Sequence, residues 1–262
     1  MQTTTICGPM ESGGKFNPST KGAFSLTRDL WCQRCLDSMV TNTQKERDLP
    51  QLRIDIFSDP VCPWCLVGLH RLNNAVASLP SDTEVSIFHH PYLLDPNAIK
   101  EGEDSETMLR RKYGSDPAPM WDRLEEEAKK SGLELDMRKQ KMRYPAQADQ
   151  VLIAAAESKG TQHAMSMAMS KACYIDALNI SDPQVLVDIG MANGFNKEEV
   201  LALVTREDLQ LEVEKASASA SQQGIQGVPF FILGNKYGMS GAQPDEVFKE
   251  ALETVLKEEA EA

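Results

Sequence analysis

The sequence predicts an α/β fold made of two half-units with a large all-helical insertion between them, and three observations predict it. Apolar residues alternate with period two at 52–57 and again at 85–88, on either side of a stretch with helical periodicity. Helical spacing and helix-boundary residues then run from about residue 97 to residue 224. Strand signal returns at 229–233, followed by a hairpin and one more amphipathic helix.

Leu52, Ile54 and Ile56, set against Arg53 and Asp55, mark a first strand with one buried face, which Ser58-Asp59-Pro60 ends. From Cys62 onward, Leu66, Leu69, Leu72 and Val76 recur at three- and four-residue spacing, giving an amphipathic helix to about Leu79-Pro80. Pro63 suits the first turn of that helix, where its missing N–H leaves no bond unmade. Val85-Ser86-Ile87-Phe88 is the second strand.

In the insertion, Asp104-Ser105-Glu106 opens one helix, and Gly114-Ser115-Asp116-Pro117 separates it from another over residues 120–131. An alanine-rich helix over 146–158 ends at Gly160. Further helices are expected over 161–174, 182–192, 197–204 and 207–221, each bounded by Gly, Asn or a capping Ser, Thr or Asp.

After the insertion, Gly234-Asn235 joins two short strands as a hairpin, and Pro244 opens a last helix with Val247, Phe248, Leu252 and Val255 on one face. The order strand–helix–strand, helical insert, strand–strand–helix is that of a thioredoxin fold whose halves are held apart by spliced-in helices. The chain therefore divides into an N-terminal extension, residues 1–50, and a domain over 51–262 with its insertion at about 97–224.

Cys62-Pro63-Trp64-Cys65 lies at the turn from the first strand into the first helix. Free N–H groups and the helix macrodipole stabilise an anion at a helix N-terminus, and a thiolate is such an anion. Cys62, the more exposed thiol, would attack a substrate disulfide, and Cys65, one turn inside, would resolve the mixed disulfide. A zinc site would need Cys32 and Cys35 as partners. The pairs are separated by 26 residues, outside the usual ribbon spacing, and a predicted strand fills the gap.

Composition narrows the function classes. With 262 residues and 41% hydrophobic content the chain can bury a large core without a disulfide scaffold. A net charge of −12 argues against nucleic-acid and anionic-membrane partners. The six cysteines, two vicinal pairs plus Cys7 and Cys173, resemble catalytic usage in a reducing compartment more than secreted staples, so a cytoplasmic location is expected. No apolar run reaches transmembrane length. The Ser/Thr/Gly-rich start, residues 1–31, fits either an organellar targeting segment or an untargeted disordered extension. Cys32 and Cys35, on a short predicted helix over 28–39, are either a relay dithiol or an incidental pair.

The segments Phe57-Ser58-Asp59-Pro60-Val61-Cys62-Pro63-Trp64-Cys65-Leu66-Val67-Gly68, Gly224-Ile225-Gln226-Gly227-Val228-Pro229-Phe230-Phe231-Ile232 and Gly238-Met239-Ser240-Gly241-Ala242-Gln243-Pro244 resemble those of the DsbA-like oxidoreductases, FrnE-type branch. The resemblance spans about residues 51–258, and His90-Pro91-Tyr92-Leu93-Leu94-Asp95-Pro96 also fits it. Asp149-Gln150 departs from it, since many relatives show a His there. The resemblance implies a thiol–disulfide oxidoreductase with Cys62 and Cys65 as catalytic thiols, Pro63 and Trp64 as the dipeptide between them, and Val228-Pro229 as a cis-proline facing them. It implies disulfide-containing protein or small thiol substrates, no bound cofactor, and glutathione or another thiol as reductant. A glutathione-dependent isomerase or transferase of the kappa-like class is the alternative; retention of both cysteines counts against it. A non-catalytic binding module with an idle dithiol is a third reading.

Other residues read as structural. Met167 points away from Met165 and Met169 on a helix, so the three fill cores rather than hold a soft metal. His89 and His90 lack metal-ligand spacing and read as structural or solvent-facing, and His70 as a partly exposed helix residue. Asp55 and Lys236 are expected on solvated strand faces, and Cys173 as an inert core thiol.

Overall fold

A computed structural model describes residues 51–261 of the protein. The first half is β1 (Gln51–Ser58), α1 (Pro63–Ala77) and β2 (Glu84–Pro91). β1 and β2 pair in parallel, with Ile54 opposite Ile87, a geometry that requires the crossover α1 provides. The insertion comprises β3 (Glu103–Asp104), α2 (Ser105–Tyr113), α3 (Ala118–Lys130), β4 (Met142–Arg143), α4 (Gln147–Ala155), α5 (Gln162–Tyr174), α6 (Pro183–Ala192), α7 (Lys197–Val204) and α8 (Glu207–Gln222). The second half is β5 (Phe230–Leu233), β6 (Tyr237–Ser240) and α9 (Asp245–Ala260). The sheet order is β2-β1-β5-β6, with β5 antiparallel to both neighbours, so the two halves meet along β1 and β5 in a thioredoxin fold.

Apolar alternation on β1 buries Leu52, Ile54 and Ile56, which pack with Leu66, Leu69 and Leu72 of α1. Phe231 of β5 meets Phe248 of α9 edge-on, ring centroids 4.9 Å apart, in the same cluster. Each such side chain contributes about 1.5–3 kcal/mol on leaving water. The insertion has a core of its own around Leu152, Met165, Met169, Leu186 and Val200, while Met167, on the other side of α5, joins the main core. In the hairpin turn both Gly234 and Asn235 have positive φ, 57° and 56°, as a two-residue turn of this twist demands. A side chain on Gly234 would also run into Val255 of α9.

The structure corrects several expectations. The insertion is not purely helical: β3 and β4 pair antiparallel, Glu103 opposite Arg143. Two-residue strands are too short to show a period in sequence, and this pairing joins segments far apart in the chain. Val247 is 39% exposed, because it sits one residue, about a quarter turn, off the face that buries Phe248, Leu252 and Val255. Asp55 is buried rather than solvated, while the burial of His89 agrees with its structural reading. Cys7, Cys32, Cys35 and the targeting reading of residues 1–31 lie outside the described residues.

Candidate active site

Cys62 occupies the N-cap of α1 in an extended conformation, and its carbonyl accepts from the N–H groups of Cys65 and Leu66 at 3.0 and 3.3 Å. Pro63 follows inside the first turn, as helix entry favours. Both cysteines are free thiols. Cys62 is the more accessible of the two, yet at 3% exposure against 0% it is buried as well. Its thiol donates to the carbonyl of Val228 at 3.7 Å, 166 residues away in sequence. The Val228–Pro229 peptide bond is cis, and Pro229 is buried while Val228 stays half-buried. The turn before β5 is thus held against the dithiol. Gly68, two turns along α1, leaves the room this needs: a Cβ there would lie 2.8 Å from Pro229 Cγ.

Burial pushes the Cys65 thiol well above its ordinary pKa, and the hydrogen bond and charge of Cys62 add to this. Two acids lie close by. Asp59, between the end of β1 and Cys62, accepts from the N–H groups of Val61 and Leu94 at 3.0 and 2.8 Å. Burial outweighs those bonds and the nearby Arg143, and raises its pKa. Asp149 of α4 is wholly buried, and neither carboxyl oxygen has a hydrogen-bond partner among the described residues. Burial, with the Asp59 charge, lifts its pKa well above the carboxylate range. Next to it, Gln150 donates to the Ser58 and Tyr92 carbonyls at 2.8 and 3.1 Å, tying α4 to the ends of β1 and β2.

A third group comes from the insertion. Tyr174, at the end of α5, donates its hydroxyl to the Val61 carbonyl at 2.6 Å and accepts from Arg143 of β4 at 3.2 Å. Arg143 is half-buried and forms no ion pair among the described residues. Burial works against its charge, but Tyr174, Asp59, Cys62 and Cys173 around it outweigh that and raise its pKa. Sequence reasoning missed Arg143, Tyr174 and both acids. Asp59 had a signal as an Asp-Pro turn three residues before Cys62, and Asp149 only as a departure from the family pattern.

The remaining candidates stay apart from this chemistry. His70 pairs with the Ser131 carbonyl at 2.8 Å, beyond the end of α3. His89 shares a 2.9 Å hydrogen bond with His163, and burial depresses the pKa of both, that of His163 to about 4. His90 and Arg53 both bond Asp55 at 2.7 Å; burial raises its pKa, but these bonds outweigh it and hold the carboxyl low. Lys236 is exposed and pairs with Glu258 at 3.2 Å. Cys173 is buried, its thiol pushed up to about 12. Among the described residues no three His, Cys, Asp or Glu side chains converge on a metal position, and no helix is long and apolar enough to cross a membrane.

Residues 53–253 match the model of the DSBA-like thioredoxin domain. No curated protein matches the chain significantly. Among solved structures it is similar to a probable DsbA oxidoreductase from Streptomyces coelicolor, with 33% identity and a TM-score of 0.71 over 79% of this chain and 91% of that one. It also shares the fold of a 2-hydroxychromene-2-carboxylate isomerase, at 13% identity and TM-score 0.63 over 80% and 98% of the two chains. A cytosolic disulfide reductase, DsbM, from Pseudomonas aeruginosa, solved with GSH, has 19% identity and TM-score 0.56 over 78% and 99%. A family match across most of the chain, a relative one-third identical over nearly the same span, and the sheet order β2-β1-β5-β6 agree that the chain belongs to the DSBA-like thioredoxin domain family.

Proposed function

We propose that the protein is a thiol–disulfide oxidoreductase working through Cys62 and Cys65 on disulfide-containing protein or small thiol substrates. The observation that carries this reading is the free Cys62 thiol at the N-cap of α1, 3.7 Å from the Val228 carbonyl, with Cys65 one turn inside. The Cys62 thiolate attacks a substrate disulfide, forms a new S–S bond, and displaces the first substrate sulfur as a thiolate. Cys65 then loses its proton and attacks Cys62 Sγ, releasing the second substrate thiolate and leaving an enzyme disulfide. Two electrons pass to substrate, and glutathione or another thiol returns them in two further exchanges. Run in reverse, the same steps oxidise a dithiol. Val228 lies where its backbone can pair with an extended substrate segment while Cys62 reacts, a form of strand addition. Residues 51–262 carry the reaction, in a reducing, cytoplasmic setting.

Trapping tests this. Cys65→Ser should accumulate mixed disulfides through Cys62, and adding Cys62→Ser should abolish them. Failure of Cys65→Ser to trap any substrate thiol overturns the reading. Glutathione-conjugating activity that survives Cys65→Ser would instead favour the kappa-like transferase.

A further inference from the structure

Cys62, Pro63 and Trp64 form one wall of a cavity of about 150 Å³, lined elsewhere by α2, α3, residues 137–144 and the end of α5. Size restricts what it can take. A volume of about 150 Å³ holds one benzene-sized group, whereas sites for larger organic ligands run to about 300–1,000 Å³. It seats one phenyl or branched alkyl group and leaves most of a glutathionyl tripeptide outside, in solvent. Met108, Met120, Met137 and Met142 are among the lining residues, and these flexible, polarizable side chains adapt to the outline of an apolar group.

Charge restricts it further. The chain has 39 acidic residues against 27 basic ones, yet the lining holds Lys112 and Arg143 and no Asp or Glu. Arg143 spends one bond on the Tyr174 hydroxyl and, although Asp59 is near enough to feel its charge, forms no ion pair with a carboxylate of the described residues. Its planar fork is suited to bind a carboxylate through two bonds. Nucleophile, apolar space and unpaired cation therefore share one cavity.

We propose that this cavity selects low-molecular-mass disulfides of apolar mercapto-carboxylic acids. A compact apolar group next to the sulfur that Cys62 attacks fills the methionine-lined space, and the carboxylate of the same thiol meets Arg143. This rests on Cys62 being the attacking thiol. One turnover converts RS–SR and the enzyme dithiol into two RSH and the Cys62–Cys65 disulfide. The two thiol protons pass to the released thiolates, and dithiothreitol in the assay restores the dithiol.

The test is the rate at which the reduced full-length protein consumes four symmetrical disulfides: those of 2-mercapto-3-phenylpropanoate, 3-mercaptopropanoate, 2-phenylethanethiol and 2-mercaptoethanol. Glutathione disulfide serves as the bulky comparison. The readout is the ratio of kcat/KM to that for the 2-mercaptoethanol disulfide on the same preparation, so losses of folding or thiol reactivity cancel. The phenylpropanoate disulfide should lead by about tenfold or more. Arg143→Gln should erase the advantage of the carboxylate and keep that of the phenyl group, with Arg143→Lys restoring part of it. Leu178→Trp, at a lining residue that is 42% exposed, should erase the phenyl advantage. Equal ratios for all disulfides in the unsubstituted protein, or ratios unmoved by both Arg143→Gln and Leu178→Trp, overturn the proposal. Consumption of every disulfide unchanged in Cys62→Ser would instead overturn the dithiol reading on which it rests.

Discussion

A Cβ placed on Gly68 would come within 2.8 Å of Pro229 Cγ and 3.3 Å of Phe231 Cζ, so α1 and the turn before β5 touch through the absence of a side chain. That contact sets the distance between the dithiol helix and the Val228 carbonyl. Gly68→Ala should push Pro229 away from Cys62 and cost about 1–3 kcal/mol through overpacking. Urea unfolding and the rate of mixed-disulfide formation check it. Both should fall, and a variant as stable and as fast as the parent would show that the turn yields freely.

Arg71, 3% exposed, ties three segments together. It donates to Ser131 Oγ, the Ala242 carbonyl and the Glu127 carbonyl, each at 2.7 Å, and to Glu127 Oε2 at 3.1 Å. Arg71→Ala strips four acceptors of their partner and unlinks α1 from α3 and from the segment before α9. A loss of about 3–5 kcal/mol is expected, measurable by chemical denaturation.

Asp149 should make the fold less stable as pH rises. Its folded-state pKa is raised, so above the unfolded-state value near 4 the native chain still holds a proton that the unfolded chain has released. The Asp149 contribution to stability is therefore fully present below about pH 4 and is lost as pH rises to the folded pKa. Asp149→Asn, which keeps the shape and removes the titration, should gain on the order of 1 kcal/mol at pH 8 and flatten that decline. Urea midpoints between pH 5 and 8 decide it.

The His89–His163 pair acts in the opposite sense. With its pKa lowered to about 4, His163 stays neutral in the native chain while the unfolded chain takes up a proton near pH 6.5. Stability is therefore lost as pH falls from about 6.5 to about 4, by up to about 3 kcal/mol from His163, and His89 adds to it in the same direction. His163→Gln should show a shallower loss over that window in the same unfolding measurements.

How much was legible in the sequence depended on range. Leu52, Ile54 and Ile56 alternate, and Leu66, Leu69 and Leu72 repeat at helical spacing, so β1 and α1 declare themselves within a dozen residues, and Cys62 and Cys65 with them. The turn at Gly234-Asn235 is equally local, because positive φ at both positions selects those residue types. Asp55 was misread because its alternation with Ile54 and Ile56 points it away from the main core, where solvent was the natural expectation. Arg53 of the same strand and His90 of β2 close over it instead. Arg143 and Tyr174 carry no local signal, since β4 is two residues long and the residues they meet, Val61 and Cys62, lie some 80 to 110 positions earlier.

By itself, then, the sequence determined the α/β class, the order of elements, the split by a helical insertion and the two thiols at a helix N-terminus. All of these follow from short-range periodicity and backbone preference. Tertiary structure alone decided that the Val228 carbonyl sits over Cys62, that Asp59 and Asp149 are both buried where desolvation raises their pKa, and that the insertion lines a small cavity beside Cys62. Those are consequences of burial and of contacts between distant segments, where desolvation and approach distance, rather than the identity of sequence neighbours, set the chemistry of each group.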